Sequence, residues 1–72
     1  MQRTSEPIVG LAAHADRIAI RLLSARRAGR LPEISKEAIH AAMHRARFRG
    51  VKLAHWQWME ARILAQLGEH AS

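Results

Sequence analysis

The stretch LAHWQWMEARILAQL at residues 53–67 decides the fold. Successive residues of an α-helix turn by about 100°. On that wheel Leu53, Trp56, Met59, Ile63, Leu64 and Leu67 share one broad apolar arc. Trp58 points almost the other way, over a lane formed by Ala54, Ala61 and Ala65. Two apolar faces on one short helix exceed what two thin neighbours can cover. One face is therefore expected to close the monomer and the other to meet a second chain. A strand over residues 48–58 is the competing reading, since part of 51–58 alternates crudely. The alanine-rich wheel runs on to Leu67 and favours a helix over residues 52–67.

The segment before it opens on the clearest helix start in the chain. Ser35 is a good N-cap, Glu37 falls in the positively polarised first turn, and Ile34 and Ile39 fit a hydrophobic staple. Ile39, Ala42, Met43 and Ala46 then make a narrow stripe of mostly small residues. Gly50 is expected to end this helix, giving residues 36–49, with Val51 packing back over its last turn. Further back, Ile8, Leu11, Ala15, Ile18, Leu22 and Ala25 recur at spacings of three and four, which predicts a helix over residues 6–28. Thr4 or Ser5 would cap it, and Pro7 is tolerated that early. Ala12, Ala19 and Leu23 widen its apolar arc, and Val9 and Ile20 extend it, enough to touch two neighbours. His14, Arg17, Arg21 and Ser24 fall on the opposite side. Gly29 and Pro32 close the helix.

Composition agrees with this reading. Only nine residues are β-branched, there is no Tyr, and 14 are Ala, the strongest helix former. The expected architecture is all-α, a single three-helix domain over residues 1–72 with frayed ends at 1–4 and 69–72. At 72 residues and 49% apolar content the chain should fold, but only 21 of its apolar side chains are larger than Ala. The core is thin, and chains this small commonly need a staple or a partner. Without Cys, neither a disulfide nor a zinc–thiolate site can supply the staple. The expected support is a second copy, a helical homodimer formed through Ala54, Trp58, Ala61 and Ala65.

Several classes are excluded or disfavoured. The early apolar run at residues 8–13 is broken by His14, Asp16 and Arg17, too soon for a secretory signal or a membrane span. Glu6 and Asp16 count against an organelle-targeting segment, which avoids acids. A cytoplasmic location with no membrane partner is expected. Catalysis has little to work with: no Cys, one Asp, no Gly-rich phosphate loop, and no Ser with an evident base partner. No enzymatic activity, cofactor or small-molecule substrate is expected.

Charge supplies the functional direction. Twelve Lys and Arg against six Asp and Glu give a net charge of +6, which favours polyanionic partners. Arg45, Arg47, Arg49 and Lys52 straddle the second junction, Arg17 and Arg21 lie one turn apart on the first helix, and Arg26, Arg27 and Arg30 close it. Cations gather at helix C-termini to oppose the dipole, but that does not require three Arg within residues 45–49. The planar guanidinium donates paired hydrogen bonds to phosphate. Arg17, Arg21, Arg45, Arg47, Arg49 and Lys52 are therefore expected to be the phosphate contacts of a small DNA-binding regulator. The alternative is an inhibitor or adaptor that docks on an acidic or hydrophobic surface of a target protein through Trp58 and the basic helix faces.

Two narrower motifs occur in part. Ala46, Gly50 and Val51 partly fit the turn of a helix-turn-helix, with Trp56 and Met59 buried and Lys52, His55, Gln57 and Arg62 exposed to read bases. Arg45 and Arg49 occupy positions where that pattern prefers apolar residues. His40 and His44 lie one turn apart near Glu37, a spacing that zinc can use, but a third ligand and its supporting contacts are missing. A solvated helix face is the expectation there, with no metal.

Overall fold

A computed structural model describes residues 6–46 and 51–71, with side chains described through Gly68. Thr4, Ser5, Arg47, Phe48, Arg49 and Gly50, the frayed end expected at 1–4 and the last residue of the one expected at 69–72 lie outside the described residues, whereas 69–71 are helical. Three helices and no strand occur among those that are described: α1 (Leu11–Arg27), α2 (Lys36–Arg45) and α3 (Leu53–Ala71). The strand considered over residues 48–58 is overturned from Leu53 onward, where α3 begins.

The first helix starts five residues later than its apolar spacing implied. Gly10 adopts φ 91°, a left-handed conformation that a helix cannot continue through. Ile8 instead sits in a turn, its carbonyl accepting the Leu11 N–H at 3.0 Å. Glu6 caps from outside, its Oε1 accepting the Ala12 N–H at 2.9 Å at the positive end of the dipole. The far end follows expectation. The Gly29 N–H bonds to the Arg26 carbonyl and the Arg30 N–H to the Ala25 carbonyl, with Gly29 at φ 79°. That paired closure reverses the chain and needs a residue tolerant of positive φ.

At the second helix, Ser35 Oγ accepts the Ala38 N–H at 3.2 Å, and Ile34 packs against the cluster that contains buried Ile39. α2 ends at Arg45, four residues short of the expected boundary. A contact distant in sequence coincides with this end. Ala46 leaves helical geometry (φ −100°, ψ 63°), and its carbonyl accepts a hydrogen bond from His14 Nε2 on α1. His14 itself, expected among the exposed polar residues of its helix, is 9% exposed.

The third helix opens with one half of a capping box. The Lys52 carbonyl accepts from Trp56 N–H, while the Lys52 N–H donates to His55 Nδ1 at 3.1 Å. His55 thus takes the place that Glu or Gln holds in a capping box. The helix runs through Gly68 to Ala71, beyond the expected end at residue 67.

Among the described residues the core is ten side chains: Leu11, Ala15, Ile18, Ala19 and Leu22 of α1, Ile39 and Met43 of α2, and Met59, Ile63 and Leu67 of α3. The wheel reading of α3 is corrected in two ways. Leu53 is 73% and Leu64 48% exposed, so neither belongs to the buried arc. Trp58 is half-buried and packs against the core, as does Trp56. Residues two apart on a helix are about 200° apart, so the two indoles flank a buried face centred on Met59 and Ile63.

Polar contacts then fix the register of the helices. Arg62 Nε donates to Asp16 Oδ1 at 2.8 Å and Arg62 Nη2 to Asp16 Oδ2 at 3.0 Å, and Gln66 Nε2 adds a third bond at 3.1 Å. The two side chains are 33% and 35% exposed, so solvent screens the pair and limits it to about 1 kcal/mol. Burying each large core side chain is worth about 1.5–3 kcal/mol. Apolar burial supplies the stability, and the bidentate pair sets how α1 and α3 align.

Hydrogen bonding and charge from Arg62 hold the Asp16 carboxyl below the usual carboxylate range, against a smaller opposing effect of burial. Its stabilisation is therefore complete above the unfolded-state value near 4 and is lost as pH falls through the lower folded-state value. Asp16→Asn should lower stability by about 1 kcal/mol at pH 7, a melting shift of roughly 4–8 °C for a domain this small. Urea unfolding at pH 7 and pH 3 checks this: the variant should lose less stability on acidification than the wild-type chain.

Candidate functional site

Four of the basic residues border one region between α1 and α2. Arg17 and Arg21 stand one turn apart on α1, and Arg45 is the last residue of α2. These three line one cleft with His14, Ile18 and Ala46. A second cleft adjoins it and shares Ile18, Arg21, Arg45 and Ala46 with the first. Arg30, returned over α2 by the turn at Gly29, lines this second half. Each half has a volume of about 470 Å³. Four Arg therefore border a continuous groove, and no acidic residue among those described lines either half. The floor is apolar: Ile18 and Leu22 are buried, and Ala25, Leu31, Ala38 and Ala42 are half-buried.

Of the six expected phosphate contacts, Arg17, Arg21 and Arg45 are brought together although up to 28 positions separate them. Arg47 and Arg49 lie outside the described residues. Lys52 is exposed at the start of α3 and lines neither half of the groove. Arg30 joins the site without having been singled out from its neighbours. The helix-ending Gly29 was visible, but which way the reversed chain carries Arg30 depends on where Leu31 packs.

The base-reading surface imagined for a helix-turn-helix does not assemble. His55 caps α3, and Arg62 is bound by Asp16 with its guanidinium carbon 5.8 Å from the centre of the Trp58 ring. Asp16, hydrogen-bonded to it, holds the Arg62 charge more firmly than in an isolated side chain. Of the four proposed readers only Lys52 and Gln57 remain fully exposed. His40 Nε2 pairs with Glu60 Oε2 at 3.0 Å, and His44 tilts against Trp56 with ring centres 5.2 Å apart. Both histidines thereby tie α2 to α3, and no group of three His, Asp or Glu among the described residues is placed to hold a metal ion.

The outward face of α3 is uncharged along its centre and is bordered by the partly exposed Glu60 and Arg62 and by Arg26 and Glu33. Every exposed residue between 53 and 68 is uncharged: Leu53, Ala54, Gln57, Ala61, Leu64, Ala65 and Gly68. Ala54, Ala61 and Ala65 keep the outward position read from the wheel, while Trp58 lies at the edge of that face, half-buried. No helix among the described residues is long and apolar enough to cross a membrane. No protein-family model matches the chain, and comparison with curated proteins and with solved structures finds no significant match.

Proposed function

We propose that this chain is a small nucleic-acid-binding protein of the cytoplasm that acts by binding, without catalysis, and regulates through occupancy. The observation that carries the reading is the convergence of Arg17, Arg21 and Arg45 on one groove free of acidic lining. Like charges crowded together cost folding energy, and an anion bound among them removes that cost. Phosphate suits the site because each guanidinium presents a planar pair of donors. A chain of phosphates suits it better, since Arg30, Arg21, Arg45 and Arg17 are strung along the groove. Arg47 and Arg49, outside the described residues, and Lys52, exposed but outside the groove lining, are further candidate contacts on the sequence pattern alone.

The working unit in this reading is a homodimer joined through α3. Its uncharged outward face carries small residues at 54, 61, 65 and 68, which let helices approach closely, with Leu53 and Leu64 to bury. A second copy is the occupant that fits. In a molecule of net charge +6 this is the face where two copies meet without opposing charges, and pairing leaves both grooves open.

Two measurements check the proposal. A gel shift of a mixed-sequence oligonucleotide across a salt series should show affinity falling steeply with salt. Arg21→Gln with Arg45→Gln should then reduce the log–log slope by roughly 1.4–1.8. No binding at low salt, or an unchanged slope, rejects it. Light scattering should give about twice the 8.1 kDa chain mass, and Ala61→Glu, on an exposed position, should return a folded monomer. A wild-type monomer at high concentration rejects the dimer.

A further inference from the structure

We infer that the groove between α1 and α2 takes unpaired nucleotides, so that the preferred ligand is a single strand and not a duplex. This rests on the nucleic-acid reading above and narrows it. Contact with a duplex backbone needs only cations on an accessible surface, because duplex phosphates face outward and the bases are stacked away. The groove offers more than that. Below the Arg rim lies an apolar floor built from Ile18, Leu22, Leu31 and Ala42, in a half-groove of about 470 Å³. That volume matches the size of small-ligand clefts, and the groove stays open to solvent on its rim side.

A duplex seated on the rim would leave this floor uncovered. A strand with free bases would cover it: a planar base enters the apolar groove while its flanking phosphates remain with the Arg. The rim contributes to base contact as well, since guanidinium planes stack on nucleobases. Arg21 and Arg45 line both halves, which places them where a base inserted in the second half would leave its phosphate. The space exists because α2 presents Ala38, Ala41 and Ala42 to the groove. Larger side chains at those positions would fill it without changing any charge.

That separation of space from charge gives the test. Fluorescence anisotropy compares a labelled mixed-sequence single strand with its duplex at fixed salt, for the wild-type chain, Ala41→Leu and Ala42→Leu. Ala41 is exposed, so its substitution leaves the core intact; Ala42→Leu fills the groove more deeply and is read only if its circular dichroism matches the wild type. The single strand should bind at least about tenfold tighter than the duplex. Ala41→Leu should remove most of that preference, weakening the single strand much more than the duplex. Equal affinities, or a preference that survives Ala41→Leu, overturn the inference and leave the phosphate reading standing. Binding to neither nucleic acid overturns both. Phosphatidylserine vesicles are titrated in parallel, and tighter binding to them, sensitive to Ala41→Leu, would assign the groove to an acyl chain and overturn the inference.

Discussion

Everything in this fold depends on α1 being covered on two flanks at once. Its buried row, Leu11, Ala15, Ile18, Ala19 and Leu22, is half of the core, and neither α2 nor α3 alone is wide enough to hide it. Each covering helix is held to α1 by a polar contact as well as by packing. Asp16 takes two bonds from Arg62 and one from Gln66 of α3, and His14 donates to the carbonyl of Ala46 as α2 ends. Neither contact is strong enough to fold a chain. Both favour this alignment of alanine-rich helices, because a slip by one turn would take Asp16 and the Ala46 carbonyl away from these partners.

This arrangement sorts charge by side. Asp16, the sole aspartate, is spent on α3, where it binds Arg62 away from the outward face. The α1–α2 side is left with Arg17, Arg21, Arg30 and Arg45 around a groove with no acidic lining among the described residues. The most exposed positions of α3 between residues 53 and 68 are uncharged, with Glu60 and Arg62 at their borders and each engaged in an ion pair. A stability-driven sequence would mix these signs, since interspersed charges repel less. Segregation of this kind is the physical basis for assigning one side to a polyanion and the other to a second copy.

Local features were legible in the sequence, and long-range ones were not. The Ser35 cap, the Gly29 closure and the all-helical class follow from rules that span a few residues, and the structure contains each of them. Ile8 misled because spacing alone cannot tell a turn from the first turn of a helix; Gly10 at positive φ makes the difference. Trp58 and Leu53 were exchanged in role because a wheel gives angles without saying where the neighbours sit. His14 looked polar and exposed, and Arg62 looked free, because their partners are 32 and 46 positions away. For the groove, charge pattern identified Arg17, Arg21 and Arg45 as candidates. Their meeting in one place required the crossing of α1 and α2, which no local rule encodes.

The most direct measurement is the map of backbone amide shifts in the ¹⁵N-labelled chain as an oligonucleotide is added. The expected result is a contiguous set of perturbed amides along residues 14–31 and 38–46, with Ala54, Ala61 and Ala65 unaffected at constant dimer population. Perturbations centred on the outward face of α3, with the α1–α2 groove silent, would contradict the assignment of this groove as the binding surface.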